Sequence, residues 1–378
     1  MKRLPIHSQH ESLHAKFGEF AGFEMPLYYT KPIEEHHAVR NGVGVFDISH
    51  MGQFILSGDK AGEMLNYVLP GDVHALRDGQ ALYSPLCRED GGILDDLIIY
   101  RYNNPRYRII VNAGTRERDY LWLAGIAEEF EVSLEDISSQ CCLFAVQGPR
   151  AFEKLEALME DSPAALDYYT FIETRALDEP VFLARTGYTG EPGCEIAVAA
   201  EKAEALWRHL VKEMEIPPIG LAARDTLRLE AGMPLYSHEL REEWHPLETG
   251  LAWTINLKGD EEFIGKKALV AIRGVGFPYR HVGLEMTGRG IPREDYPVLQ
   301  NGAEIGRVTS GALSPTTGKG IALARLRIPF HKTGTAVQVE MRGKSVDAVV
   351  VRRPFYKNPT LRESLSSSPR SKRLKIFS

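Results

Sequence analysis

Apolar and polar positions alternate with a period of two through much of this chain, interrupted by stretches of helical spacing. Alternation predicts strands at residues 43–48, 53–57, 81–86, 107–111 and 142–147, and a strand, Gly-rich turn and strand within 181–199. Spacings of three and four predict helices over 34–40, 60–68, 117–130, 151–159, 202–214, 220–231 and 265–272. The 60–68 helix would turn Ala61, Met64, Leu65 and Val68 to a core, and the 117–130 helix a stripe of Leu121, Ala124 and Ala127 or Glu128. Apart from these elements, residues 11–50 read as loops, 237–248 as polar and irregular, and 250–257 as a strand. From residue 276 short strands dominate, at 282–286, 297–299, 303–308, 321–326, 336–341 and 344–351. Asn301-Gly302 and Arg342-Gly343 are compact turn signals between them, so this part reads as a separate all-β unit.

One strand departs from the pattern. In Gly91-Gly92-Ile93-Leu94-Asp95-Asp96-Leu97-Ile98-Ile99-Tyr100, two acids interrupt an apolar run. Period two places Asp96, Ile98 and Tyr100 on one face and Asp95, Leu97 and Ile99 on the other. A carboxylate beside that much apolar surface costs several kcal/mol unless it is hydrated, paired or hydrogen-bonded. Either one acid lines a polar cavity, or both are turn residues at a strand start. The stretch returns as a hairpin through Tyr102-Asn103-Asn104-Pro105-Arg106. A loop of Asn103 to Pro105 sets Tyr102 against Arg106 and brings Asp96 opposite Asn112.

Composition narrows the function classes. The 378 residues exceed the usual span of one domain, which points to two or three. With 45 Lys+Arg against 51 Asp+Glu, the net charge of −6 gives no basic footprint for nucleic acid or an anionic membrane. No apolar run approaches the roughly 20 residues of a membrane span. The first ten residues lack the apolar core of a signal peptide, and no long Arg- and Ser-rich leader follows them. Cys87, Cys141, Cys142 and Cys194 have no metal or redox spacing. The chain therefore reads as reduced and cytoplasmic.

Familiar catalytic signatures are absent. No G-x-x-x-x-G-K-[ST], no N-terminal G-x-G-x-x-G and no G-x-S-x-G occurs. His10 with His14, and Glu35-His36-His37, lack a further ligand, so no metal site is expected. Two clusters remain. In Arg185-Thr186-Gly187-Tyr188-Thr189-Gly190-Glu191-Pro192-Gly193-Cys194-Glu195, glycines would let backbone close around a ligand, beside the Tyr188 ring and the Glu195 carboxylate. The alternative is a tight hairpin whose Tyr caps a core. In residues 220–232, Arg224 and Arg228 share a helix face, with Asp225 and Glu230 as possible partners. That fork suits a ligand carboxylate or an internal ion pair. Ser49-His50-Met51-Gly52 is a polar loop, uninformative alone.

Taken together and in order, Phe23-Glu24-Met25-Pro26-Leu27-Tyr28-Tyr29, Phe46-Asp47-Ile48-Ser49-His50-Met51, the Gly91 to Leu97 stretch, the Tyr188 loop and the Arg224 helix resemble the aminomethyltransferases of the glycine cleavage system, the T-protein family. Thr309-Ser310-Gly311-Ala312-Leu313-Ser314-Pro315-Thr316 and Pro354-Phe355-Tyr356 extend the likeness over residues 4–360. The resemblance implies an α+β fold of three domains around a central channel, mostly antiparallel sheets with flanking helices. A folate-binding region of two discontinuous domains spans 1–275 (the first about 1–50 with 138–235, the second about 51–137 with 236–275). A β-barrel-like domain follows at 276–362, then a Ser/Arg-rich tail at 363–378.

The same resemblance implies a reaction. A lipoylated H-protein would deliver an aminomethyl group through sulfur, and the methylene carbon would pass to tetrahydrofolate. The products would be 5,10-methylenetetrahydrofolate, ammonia and the dihydrolipoyl carrier, with glycine decarboxylase and dihydrolipoyl dehydrogenase as indirect partners. Asp96 is the implied catalytic carboxylate beside the reacting nitrogens. Tyr188 would pack on the ring, Glu195 bind its amino-pyrimidinone edge and Arg224 pair with that acid. Asn112 would sit beside the ring, with Met51, Tyr83, Ile98, Tyr100 and Tyr236 forming walls. Arg353 or Arg362 would meet the glutamyl tail, and Cys194, where an aromatic is common, would loosen packing near Glu195. Asp95 would be structural, tied to amides near Gly91 and Gly92. The alternative within this fold is a tetrahydrofolate-dependent demethylase of a sulfonium or methylated amine.

Overall fold

The computed structural model describes residues 1–103 and 105–358. Three of the four sheets among the described residues carry most of the chain. The first has five strands in the order Phe171–Ala176, Glu179–Ala184, Gly193–Ala199, Cys141–Gln147 and Gly44–Asp47. The second runs Gln80–Cys87, Ile93–Asn103, Arg106–Val111, Gly52–Ser57 and Ser133–Asp136. The third is a closed barrel of Tyr279–Met286, Gly320–Arg327, Ala303–Leu313, Pro297–Gln300, Ala336–Met341 and Lys344–Val351. Every ladder in these three is antiparallel. The architecture is the expected mixture of antiparallel sheets, flanking helices and a C-terminal barrel.

Period two decides how the first two sheets meet. Cys142, Phe144 and Val146 enter one core with Trp207 and Leu183, while Leu143 and Ala145 face the other way. In the second sheet Leu97 and Ile99 back onto Phe54, Met64 and Leu123, whereas Ile98 and Tyr100 turn to the opposite side. Leu143, Ala145, Ile98, Tyr100 and Ile110 then share a core between the sheets. The two five-stranded sheets thus face one another across a common layer, and each carries a separate core on its far side.

Three readings are corrected. Residues 16–28 form a hairpin, Lys16–Phe20 with Phe23–Tyr28, turning at Ala21 and Gly22, both at positive φ. Gly18, Glu19 and Pro26 had broken the alternation that would have shown it. The Arg116–Phe130 helix buries Asp119, Leu123 and Ala127, while Leu121 is 65% exposed, so the buried stripe keeps Ala127 but runs through Asp119 and Leu123 in place of Leu121 and Ala124. Residues 250–257 are no strand: Gly250 at φ +91° ends the short Pro246–Thr249 helix, and a 3₁₀ turn spans Ala252–Thr254. Leu251 and Thr254 are buried three apart, which is helical spacing. Both expected barrel turns are present, Asn301-Gly302 and Arg342-Gly343, with all four residues at positive φ.

The hairpin register places Leu97 against Val111 and Ile98 against Ile110, which brings Asp96 to Asn112 as expected. A bulge pairs Asn103, not Tyr102, with Arg106. At the start of the strand, Gly91 has φ +85°, and a Cβ on Gly92 would stand 2.1 Å from the Glu242 carbonyl oxygen. Backbone cannot swing aside as a side-chain end does. Gly92→Ala is expected to cost about 1–3 kcal/mol of stability, the range for overpacking; a thermal melt unchanged from wild type would contradict this. Among the described residues, no helix is long and apolar enough to cross a membrane.

Candidate active site

A cavity of about 920 Å³ lies where the two facing sheets meet the barrel. Met51, Tyr83, Asp96, Ile98, Asn112, Tyr188, Glu195, Arg224 and Tyr236 all line it. These residues come from strands, loops and a helix spread over most of the chain. A largely apolar slot with a few convergent polar groups is the form that holds a flat ligand.

Tyr100 is the exception among the expected wall residues. It is fully buried, with Phe171 and Phe182 packed edge-on at centroid distances of 5.5 and 5.0 Å. It shares the face of Asp96 and Ile98, but the opposing sheet closes over the strand before the slot reaches it. Its hydroxyl lies 3.3 Å from Thr186 Oγ1, which donates to Glu195 Oε2 at 2.6 Å. Tyr100 therefore supports Glu195 from behind.

Asp96 is held at both oxygens. The Tyr83 hydroxyl donates to Oδ2 at 2.9 Å and Asn112 Nδ2 to Oδ1 at 2.8 Å. Burial, followed by the nearby Asp95 carboxyl, pushes its pKa up to about 7 against these donors. A carboxyl poised there can exchange a proton near neutral pH. Trp253 stacks on the far side of Tyr83, with centroids 6.1 Å apart and planes inclined by 23°.

Asp95 faces away, as period two requires, and is fully buried. It is not tied to Gly91 and Gly92: it accepts from the Asn112 amide and Nδ2 and from Thr115 Oγ1, the last at 2.7 Å. Gly92 N instead donates to Asp90. The return strand brings Asn112 and Thr115 to Asp95, so its partners come from beyond the hairpin.

The Tyr188 loop is both a tight turn and part of the wall. A Cβ on Gly187 would collide with the Gln147 side chain, and Gln147 Nε2 donates to the Thr186 carbonyl at 3.1 Å. Tyr188 is pinned by its hydroxyl to the Pro234 carbonyl, and the Arg224 guanidinium sits 4.7 Å from its ring centroid. The expected Arg224–Glu195 pair is not formed: no ion pair of Arg224 within 4.0 Å exists among the described residues, and Glu195 takes its short contact from Thr186. Arg224 lies across Tyr188 instead and influences Glu195 only at longer range. Burial raises the Glu195 pKa. Arg228, the other arm of the fork, is an internal pairing residue, bound to Asp225, Glu239 and Ser310 at 2.8, 2.9 and 2.8 Å. Glu230 turns to Arg40, not to Arg228. Cys194 points into the core behind its sheet, so it leaves the slot beside Glu195 untouched.

Sequence reasoning missed several lining residues. His50 adjoins Met51 and is buried with Nδ1 unpartnered; burial, then Arg224, pushes its pKa down to about 3, leaving it neutral at pH 7. Trp253 fell within the misread strand. Tyr168 and Tyr169 carry no spacing signal, since a turn delivers them to the cavity. The barrel side contributes Arg280, His281, Arg352 and Arg353. Arg353 thus lies at the cavity, while Arg362 and the 363–378 tail fall outside the described residues. His10 and His36 bond Asp47 at 2.9 Å and Thr226 at 2.8 Å respectively.

Comparison with known proteins gives the family. Residues 6–259 match the family described as the GCVT N-terminal domain, and residues 280–357 the glycine cleavage T-protein C-terminal barrel domain. An aminomethyltransferase from Rippkaea orientalis is 43% identical, covering 94% of this chain and 98% of the relative. One from Moorella thermoacetica is 43% identical over 95% of this chain and 99% of its own length. The crystal structure of glycine cleavage system aminomethyltransferase T from Bartonella henselae superposes with a TM-score of 0.88 at 36% identity, covering 94% of this chain and 98% of that one. Matched by both family domains and by relatives along their full lengths, this chain belongs to the aminomethyltransferase family, the glycine cleavage T-proteins.

Proposed function

We propose that this protein transfers the methylene carbon of an S-aminomethyl-dihydrolipoyl group, carried on an H-protein, to tetrahydrofolate. The products are 5,10-methylenetetrahydrofolate, ammonia and the dihydrolipoyl carrier, and the protein works in the cytoplasm. The observation that carries this reading is Asp96, a carboxyl with a near-neutral pKa held by Tyr83 and Asn112 in the wall of a large, mostly apolar cavity.

The chemistry needs little from the protein beyond placement and charge. The carbon–sulfur and carbon–nitrogen bonds to the methylene break, and two bonds form to folate nitrogens. The two protons that folate loses appear on the ammonia and the thiol. Ionised Asp96 opposes the positive charge that builds on the methylene and takes the proton leaving the attacking nitrogen. Tyr83 and Asn112 fix the carboxyl in the wall of the slot. Tyr188, backed by Arg224, supplies a flat face, and Glu195 accepts from the amino-pyrimidinone edge. Arg353 and its barrel neighbours give cationic groups for the glutamyl tail. The apolar walls exclude water, which would otherwise hydrolyse the activated methylene. We further assign the folate site to two discontinuous domains, about 1–50 with 138–235 and about 51–137 with 236–275; the separate cores behind the two sheets support that division.

The direct test supplies aminomethyl-loaded lipoyl carrier and tetrahydrofolate, then follows ammonia and methylenetetrahydrofolate. Formation of both in equal amounts is expected. Failure there, with folate-dependent demethylation of a sulfonium or methylated amine, would replace this reading. Glu195→Gln is expected to weaken tetrahydrofolate binding about tenfold, the loss of one charged hydrogen bond. Trp253 fluorescence reports that affinity, and an unchanged Kd would remove Glu195 from the binding role.

A further inference from the structure

Behind Asp96 lies a second pair of acids that the transfer reaction does not use directly. Asp95 and Asp119 are fully buried, at 0% and 1% exposure. Asp119 sits in the first turn of the Arg116–Phe130 helix, and its carboxyl contacts that of Asp95. Among the described residues, its Oδ2 has no hydrogen-bond donor. Two ionised carboxylates in contact, one with a bare buried oxygen, would be strongly unfavourable. One proton between them removes both problems, because it neutralises a charge and supplies the missing donor.

The pair is linked to Asp96 by a single amide. Asn112 Nδ2 has two protons, and it lies 2.8 Å from Asp95 Oδ1 and 2.8 Å from Asp96 Oδ1. One proton therefore goes to each acid. Thr115 Oγ1 and the Asn112 backbone amide donate to Asp95 Oδ2, at 2.7 and 3.2 Å, so Asp95 is built to carry the negative charge while Asp119 keeps the proton. We propose that Asp95 and Asp119 hold one proton between them and act, through Asn112, as positioning residues that orient Asp96 and set its proton affinity. This rests on the aminomethyl-transfer reading for its catalytic consequence only.

Other titratable and charged groups also face these acids. Tyr83 and Tyr188 face Asp96, with Tyr169 farther off. Arg118 Nε lies 3.4 Å from Asp119 Oδ1, but the same guanidinium also bonds Glu242 at 2.7 Å and the Tyr236 hydroxyl at 3.2 Å. Glu242 meets that charge through Oε1 while its Oε2 binds Arg88, which Asp90 also pairs, so the two guanidiniums have two carboxylates besides Asp119. Burial is the first cause that raises both Asp95 and Asp119 above the ordinary carboxylate range, in keeping with one proton retained by the pair; the donors at Asp95 place it on Asp119.

Carbon-13 NMR of the full chain, labelled at aspartate Cγ, tests the proton directly. At pH 8.5, where Asp96 is ionised, one protonated carboxyl signal is expected, and Asp119→Asn should abolish it. Absence of that signal in the wild type overturns the proposal, whatever the enzyme transfers. The catalytic arm follows the acid limb of kcat/KM for tetrahydrofolate. Asp95→Asn removes the charge beside Asp96 and should shift the limb about one pH unit lower. Asp119→Asn leaves that charge on Asp95 and should keep the limb in place. An unshifted limb in Asp95→Asn, with only stability or kcat lowered, would make the pair merely structural and overturn the positioning role. If no aminomethyl transfer is found, titrating the Asp96 Cγ signal in the same variants gives the same comparison.

Discussion

Asp96→Asn is expected to lower turnover by about 10²-fold or more, a loss of about 2.7 kcal/mol of transition-state stabilisation, while the protein stays folded and retains much of its folate affinity. The substitution is nearly isosteric. The Asn oxygen can accept from Asn112, and its amide can donate to the Tyr83 oxygen, so both contacts that fix the position survive in form. What disappears is the negative charge and the capacity to take a proton. Uncharged Asn cannot oppose the cationic methylene or receive the proton from the attacking nitrogen. Single-turnover formation of ammonia and methylenetetrahydrofolate isolates the chemical step. Turnover near wild type would refute the catalytic role, whereas loss of binding with unchanged chemistry would make Asp96 a binding residue only.

The second large effect concerns stability. Glu230 is fully buried where the helix Leu221–Glu230 meets the barrel. It accepts from Arg40 at 3.0 Å, from Ser314 Oγ at 2.5 Å and from the Thr316 hydroxyl and amide at 2.8 and 3.1 Å. Arg40 in turn binds Glu191 at 2.8 Å, so one network ties the Pro32–Asn41 helix, the Tyr188 loop and the barrel together. Burial alone would raise the Glu230 pKa, but His36, Arg40 and Ser314 outweigh it and bring it down to about 2. A depressed carboxylate stabilises the fold above its unfolded pKa of about 4.3, and that contribution fades as pH falls toward about 2. It amounts to about 3 kcal/mol at neutral pH. Glu230→Gln should therefore cost about that much in urea unfolding at pH 7, and the difference from wild type should shrink between pH 4 and pH 2. A cost that is small at pH 7, or the same at both ends of that range, would show that the charge is not what matters.

Much of the Asp96 strand could be read without tertiary structure. Period two put Asp96 and Ile98 on one face, and a hairpin count put Asn112 opposite Asp96; both stand in the structure. Each depends only on the alternation of strand side chains and on the length of one short loop. The barrel was legible for the same reason, since its turns and alternating strands are local. Helix faces fared less well. Leu121 looks like a core residue and is exposed, because the side of the helix that meets the sheet was decided by where Asp119 and Leu123 found partners.

The roles of Tyr100, Arg224 and Asp95 show what sequence could not supply. Tyr100 has the right face but the wrong depth, because Phe171 and Phe182 of the other sheet close over it. Arg224 reaches the cavity but lies over Tyr188, whose ring is pinned to the Pro234 carbonyl, and Glu195 takes its short contact from Thr186. Asp95 finds its partners at Asn112, Thr115 and Asp119, three residues on the far side of a hairpin. Sequence alone determined which residues point together along each strand and which types of chemistry the chain can hold. Tertiary structure decided how deep each one lies, which partners reach it and hence the charge it carries, because burial and hydrogen bonding depend on neighbours that are distant in the chain.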